Sequence, residues 1–257
     1  MLFDSHTHLN NEDLTSSQRE ELAREIEASE VGYVVDIGFD LESSVIASKH
    51  AEKYPWCYAA VGFHPHDAKD MDEMSFKMIR ALAAKPKVKA IGETGLDFHY
   101  DHSPRDVQRE SFRKHIRLAN ELNMPLVVHS READEEAFNI LREEQAFSGR
   151  RVLLHCFSGS RELAKRYIKL GAMISVAGPV TYKNARKAAE VVEEIPIEYL
   201  LIETDAPYLA PEPFRGKRNK SPYVEYTARK VAEIKGISYE EAAEITCGNA
   251  KRFYGIE

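Results

Sequence analysis

At 257 residues, 43% of them hydrophobic, the chain is long enough to bury a full core. Its net charge of −7 excludes a broad positive field that would hold nucleic acid non-specifically, so a polyanion has to be met by a local basic patch and by bound metal. Cys57, Cys156 and Cys247 form no Cys-x-x-Cys pair, and neither a basic-then-apolar leader nor a membrane-length apolar run is present, so a cytoplasmic protein with reduced thiols and no membrane segment is expected.

Short apolar, β-branched runs recur along the chain: Leu2–His8, Tyr33–Phe39, Cys57–His64, Val88–Asp97, Leu126–Ser130, Val152–Ser158, Ala172–Gly178 and Leu200–Asp205. Several are nearly continuous hydrophobics, the pattern of strands covered on both faces. Charged stretches with helical spacing alternate with them, at Ser17–Glu30, Leu41–Lys53, Ser75–Ala84, Pro104–Asn123, Ala133–Glu144, Arg161–Leu170 and Asn184–Glu194. A Pro-rich loop, Ala206–Pro222, precedes helices near Tyr223–Lys235 and Ser238–Thr246 and a terminal Asn249–Tyr254 turn. Eight strands alternating with helices imply a parallel sheet, and that number suggests an α/β fold of the (β/α)8 barrel type, one domain spanning residues 1–257. A doubly wound open sheet is the rival, but it would gather its ligand groups at one switch point and not on six strands.

The ends of the apolar runs carry the chemistry. His6 and His8 flank Thr7, so strand alternation puts both imidazoles on one face. His64 is placed at the end of the third strand, Glu93 at the end of the fourth, His129 and His155 at the ends of the fifth and sixth, and Asp205 at the end of the eighth. In a parallel barrel these ends open on one face, where such barrels hold their sites. Any one of these residues alone reads as a cap or turn residue. Burying so many titratable groups together without a cation would be costly. The imidazoles of His6, His8, His129 and His155 with the carboxylates of Glu93 and Asp205 are too many for one tetrahedral ion that keeps an open position. They suit two divalent ions bridged by one carboxylate, for which Glu93 is central in strand order.

The segments Asp-Ser-His-Thr-His-Leu from Asp4, Gly-Phe-His-Pro around His64, Gly-Glu-Thr-Gly-Leu-Asp around Glu93, Val-His-Ser-Arg around His129, His-Cys-Phe-Ser-Gly from His155 and Glu-Thr-Asp-Ala-Pro-Tyr-Leu from Glu203 together resemble the TatD family of metal-dependent deoxyribonucleases, within the amidohydrolase-like hydrolases. The resemblance runs in order from residue 4 to about 209, with Asn249-Ala250 also similar. It implies that His6, His8, Glu93 and Asp205 hold one ion and Glu93, His129 and His155 the second. It further implies that His64 contacts the scissile phosphate and that Glu203 supports the site. The related enzymes that bridge their metals with a carbamylated lysine would need Lys where Glu93 stands.

The expected activity is hydrolysis of DNA phosphodiester bonds by a two-metal-activated water. Asp205 accepts the water's proton and His64 donates a hydrogen bond to the phosphate or leaving oxygen. The exonucleolytic character, acting on ends or single strands, is an implication of the resemblance. Metal identity stays open among Mg, Mn, Zn, Co and Fe. Arg131, placed by its strand, is a candidate phosphate contact, and the basic loop Phe214–Lys220 a weaker one. Phe157, Tyr182 and Tyr208 are candidate base-stacking residues, while His99, Tyr100 and His102 read as solvated. The alternative is a two-metal hydrolase of carbonyl substrates: amide, lactone, ester or aminoacyl-tRNA. A metal-binding scaffold with little catalysis is the remaining reading. No long heptad seam is present, so a monomer is expected.

Overall fold

The computed structural model describes residues 1–148 and 151–257. The strands are β1 (Leu2–Thr7), β2 (Val31–Ile37), β3 (Cys57–Val61), β4 (Val88–Asp97), β5 (Leu126–Arg131), β6 (Val152–Leu154), β7 (Met173–Val176) and β8 (Leu200–Ile202). The helices are α1 (Ser16–Glu27), α2 (Leu41–Lys53), α3 (Glu73–Ala83), α4 (Arg105–Leu122), α5 (Asp134–Glu143), α6 (Arg161–Lys169), α7 (Arg186–Glu194), α8 (Val224–Lys235) and α9 (Tyr239–Tyr254). All eight strands belong to one sheet in chain order, giving the (β/α)8 class that the alternation predicts. Among the described residues no helix is long and apolar enough to cross a membrane.

By its internal packing the chain divides into two compact units. One comprises Met1–Val35, Cys156–Lys169 and Met173–Glu257, the other Asp36–His155 and Leu170–Ala172. In the first, β7 and β8 pair in parallel, Ile174 beside Leu200 and Val176 beside Ile202, and all four side chains are buried. Helix α9 supplies Tyr254, whose ring stacks on Phe3 and whose hydroxyl donates to the Ser5 carbonyl at 2.8 Å. In the second unit β3, β4, β5 and β6 pair in parallel, and Val61, Ile91, Val127, Val128 and Leu153 are fully buried. Each such side chain contributes roughly 1.5–3 kcal/mol on leaving water, which is why these runs can be apolar on both faces.

The helices start where short polar side chains satisfy first-turn N–H groups. Thr15 with Gln18, Asp40 with Ser43 and Asp72 with Ser75 form capping boxes at α1, α2 and α3, each cap worth about 1 kcal/mol. Asn123 ends α4 in the left-handed region at φ 52°.

Several boundaries differ from the sequence reading. β6 stops at Leu154 and β8 at Ile202, so His155 and Asp205 lie in the segments that follow. β4 runs on to Asp97, so Glu93 lies inside that strand and not at its end. β3 stops at Val61, so His64 lies in the following loop, where its N–H is satisfied by the Phe39 carbonyl at 2.8 Å. Pro104 is the N-cap of α4 and not its first residue. The sequence reading also breaks the C-terminal segment at Cys247-Gly248-Asn249, whereas α9 runs through it. Its buried face continues from Thr246 and Cys247 to Ala250, Phe253 and Tyr254, and that packing outweighs the roughly 1 kcal/mol cost of one helical glycine.

Candidate metal centre

In the first unit the donors come from β1 and from the segment after β8. Alternation along β1 sets Asp4, His6 and His8 on one face, all buried. The second segment is locked to β1 by its backbone: Asp205 N–H donates to the His6 carbonyl at 2.9 Å, and His8 N–H to the Ala206 carbonyl at 2.7 Å. Asp4 adds a side-chain clamp, accepting from the Thr204 N–H at 2.8 Å and its hydroxyl at 2.6 Å. Burial pushes the Asp4 carboxyl up to about 7, against the lowering effect of the Thr204 bonds. Asp205 sits at φ 57°, a left-handed conformation that Asp tolerates better than most residues.

The result is a triangle of donor atoms. His6 Nε2 and His8 Nε2 are 3.3 Å apart, and Asp205 Oδ1 is 3.7 Å from the first and 3.5 Å from the second. A tetrahedral ion with bonds of about 2.0–2.2 Å separates its ligand atoms by roughly 3.3–3.6 Å. The three atoms therefore fit one ion with little movement. In the same unit Glu203 is fully buried, accepting from the Cys156 N–H at 2.8 Å and the Ser175 hydroxyl at 2.5 Å.

In the second unit Glu93 is central. Its Oε1 lies 2.6 Å from His155 Nε2, 3.0 Å from His129 Nδ1 and 3.6 Å from His64 Nε2. The two nearer imidazole nitrogens face each other at 3.3 Å, again close to a tetrahedral edge of about 3.3 Å. Donor atoms of His64, Glu93 and His129 all lie within 4.8 Å of one another, so His64 joins the group and does not stand apart as a phosphate contact alone.

The register of β4 places Glu93. Ile91 pairs with Leu126 but Thr94 with Val128, so Gly92 and Glu93 occupy a bulge, a device that re-aims side chains. Beyond the bulge Gly95 pairs with His129. A Cβ on Gly95 would stand 1.9 Å from the His129 carbonyl oxygen, and its φ of 145° is one that glycine alone adopts easily.

Hydrogen bonds set the ring orientations. His64 Nδ1 accepts from the His66 N–H at 3.1 Å, so the neutral ring carries its proton on Nε2, the atom facing Glu93. Burial holds this imidazole well below its ordinary value, against the raising effect of Glu93. The preceding residue is anchored too: Phe63 N–H donates to His115 Nε2 at 3.1 Å, and His115 Nδ1–H to the Ser111 carbonyl at 2.8 Å. Behind His129 stands Asp97, whose Oδ2 is 3.1 Å from His129 Nε2 and 3.1 Å from His66 Nε2. Burial alone would raise the Asp97 carboxyl, but the bonds from His129 and the Tyr100 N–H hold it well below the usual carboxylate range. His129 is raised: burial lowers it, and the bonds to Asp97 and Glu93 outweigh that effect.

The family model of TatD-related DNases matches residues 3–255. The chain belongs to this family. It is 48% identical over 258 residues to the uncharacterized metal-dependent hydrolase YabD of Bacillus subtilis, covering 100% of both chains. To the 3'-5' ssDNA/RNA exonuclease TatD of Escherichia fergusonii it is 36% identical, covering 95% of this chain and 96% of that one. The crystal structure of the TatD homolog YJJV from Escherichia coli K12 superimposes with a TM-score of 0.92 at 26% identity, over 100% of this chain and 98% of that one.

Within this TatD-family chain, the outlying candidates fare differently. Arg131 is exposed at the end of β5 with its guanidinium 4.7 Å from the Tyr100 ring centroid. Tyr100 also stacks on His102 and meets His66 and His99 edge-on, so these residues form a cluster and are not merely solvated. In the basic loop Lys220 is paired with Glu25 at 2.8 Å and Arg215 lies over Tyr182, which leaves the loop less available than its composition suggests. Tyr208 is half-exposed and lies edge-on to His8, its hydroxyl accepting from the Asn11 amide, whereas Phe157 is buried. Asn249 is structural, its amide donating to the carbonyls of Ile197 and Leu200. Sequence reasoning missed Asp4, His66, Asp97, His115 and Ser175. Asp4 was within reach of the alternation that selected His6 and His8; the others depend on tertiary approach.

Proposed function

We propose that this chain is a two-ion phosphodiesterase that removes nucleotides from the ends or single strands of DNA, acting in the cytoplasm as a monomer. The observation that carries this reading is the pair of donor groups, each with imidazole nitrogens 3.3 Å apart and a carboxylate oxygen beside them. His6, His8 and Asp205 would hold one ion; Glu93, His129 and His155 would hold the other, with His64 beside them. Imidazole and carboxylate donors at these spacings suit Zn, Mn, Co or Fe better than Mg, whose octahedral oxygen sites have ligand edges of about 3.0 Å. The Escherichia fergusonii relative, named an exonuclease of single-stranded DNA and RNA, supports the phosphodiester over a carbonyl substrate.

When bound, such ions supply Lewis acidity and a more acidic water. The protein's own groups do the rest. Asp205 accepts the water's proton at a carboxylate oxygen. His64, kept neutral by burial and bearing its proton on Nε2, donates that hydrogen to a phosphoryl or leaving oxygen. Arg131 offers a guanidinium to a flanking phosphate. Glu203 holds the Cys156 N–H and so supports the turn after β6.

A substrate panel tests the assignment. Single- and double-stranded DNA and RNA oligonucleotides, lactones, aryl esters and aminoacyl-tRNA are each incubated with Mg, Mn, Zn or Co. Turnover confined to oligonucleotides is the expected result. Turnover of the carbonyl compounds with none of the oligonucleotides would replace the phosphodiester reading.

A further inference from the structure

Asp97 is 1% exposed and has no part in the donor groups above, yet its carboxylate is fully used. Oδ1 accepts the backbone N–H of His99 at 3.0 Å and of Tyr100 at 2.9 Å. Oδ2 faces two imidazole nitrogens, Nε2 of His129 and Nε2 of His66, each at 3.1 Å. The main chain of Asp97 is equally fixed: its N–H donates to Gln108 Oε1 at 2.8 Å and its carbonyl accepts from Gln108 Nε2 at 3.1 Å. Gln108 is itself buried and also bonds the Ser103 carbonyl at 2.8 Å. The carboxylate therefore cannot turn away from the rings without breaking bonds on both of its oxygens.

We propose that Asp97 is a positioning residue that sets the tautomer of His129 and joins it, through one shared oxygen, to His66 at the rim. An ionised carboxylate only accepts, so both rings must present Nε2–H to it. Nδ1 of His129 faces a second carboxylate, Glu93 Oε1 at 3.0 Å, so the two compete for the single proton of the neutral ring. Asp97, held by bonds on both of its oxygens, keeps that proton on Nε2 and leaves Nδ1 to offer a lone pair toward Glu93 and His155. Metal-ligating histidines characteristically donate their other N–H to such an acceptor, and losing it weakens binding or activity by about 10- to 100-fold. His66, with its side chain 27% exposed, packs edge-on against Tyr100 and His102. One carboxylate thus fixes His129 and the 98–102 loop together. The inference rests on the reading of His129 as a ligand, but the ring tautomer can be measured without any metal.

Asp97→Asn is the discriminating variant. The two backbone N–H groups still require an oxygen at the Oδ1 position, which places the amide NH2 against both imidazoles. His129 then gains a hydrogen bond only by moving its proton to Nδ1, the atom turned toward Glu93. In the metal-free wild type at alkaline pH, 15N-labelled histidine spectra, with His129 identified by the signal lost in His129→Gln, are expected to show the proton on Nε2. In Asp97→Asn it is expected on Nδ1, with Mn2+ affinity by calorimetry lowered about 10- to 100-fold. His66→Phe keeps the Asp97–His129 bond, so its His129 tautomer and Mn2+ affinity are expected within about threefold of wild type. A wild-type His129 protonated on Nδ1 would overturn the proposal whether or not Asp97→Asn folds. So would unchanged Mn2+ affinity in that variant. Absence of nuclease activity with the expected tautomers would instead count against the functional reading alone.

Discussion

His115 offers a prediction whose size follows from its surroundings. The ring is fully buried, donates from Nδ1 to the Ser111 carbonyl and accepts the Phe63 N–H at Nε2. A second proton on Nε2 would face that N–H with no acceptor left. Burial is the main cause that lowers this imidazole from 6.5 to about 4, opposed by the Ser111 bond. The unfolded chain therefore takes up a proton below pH 6.5 that the folded chain refuses until about pH 4. The stabilisation is fully present above pH 6.5 and is lost progressively as pH falls toward about 4. Each tenfold difference in proton affinity is worth about 1.4 kcal/mol, so the full effect is roughly 3 kcal/mol, of which about 2.5 kcal/mol is gone at pH 4.5. The variant His115→Gln keeps an acceptor for Phe63 but does not titrate. Urea unfolding of both proteins in chelator, at pH 7.5 and pH 4.5, isolates the effect from every other group that titrates. The destabilisation caused by His115→Gln should be smaller at pH 4.5 by about 2.5 kcal/mol. A destabilisation equal at the two pH values would refute the assigned tautomer and the anchoring of Phe63 before His64.

Gly95→Ala puts a Cβ against the His129 carbonyl at a φ of 145°, and we expect a loss of about 3–5 kcal/mol. Gly171→Ala, at φ 83° with no atom within 4 Å, should cost only about 1–2 kcal/mol; equal melting shifts for the two would contradict the close-approach argument. Ser175→Ala and Glu203→Ala each leave buried partners unsatisfied, since the hydroxyl donates to the carboxylate at 2.5 Å. A double-mutant cycle in thermal unfolding should give a coupling of about 1–3 kcal/mol, and additive losses would show that the contact is not formed. Arg131→Ala should raise KM for oligonucleotides and flatten its dependence on salt while leaving kcat unchanged. A loss confined to kcat would place Arg131 elsewhere in the reaction.

Much of the arrangement was legible because parallel barrels make sequence position equivalent to spatial position. Residues that end successive apolar runs are expected on one face of such a barrel, so His6, His129, His155 and Asp205 could be nominated from position alone, whereas Glu93, nominated at a strand end, lies inside β4. Fold and candidate donors followed from the same pattern. What stayed hidden depends on distance and not on spacing. Asp97 lies 32 positions before His129, and only the β4–β5 register, shifted by the bulge at Glu93, brings its carboxylate to the far side of that ring. His115 sits on α4 amid charged residues and reads as one more helical polar group until the Phe63 N–H is seen to need an acceptor. The basic loop shows the converse: its composition suggested a phosphate patch, and local pairing with Glu25 and Tyr182 absorbs part of it.

The central claim is metal-dependent phosphodiester hydrolysis, and the most direct test is nucleotide release from end-labelled single-stranded DNA by metal-stripped protein to which Mg, Mn, Zn or Co is returned. Wild type and Glu93→Ala are assayed together, with folding checked by circular dichroism. Release that requires a divalent ion and is absent from the folded Glu93→Ala protein is the predicted result. Undiminished release by Glu93→Ala, or release by wild type in excess chelator, would contradict it.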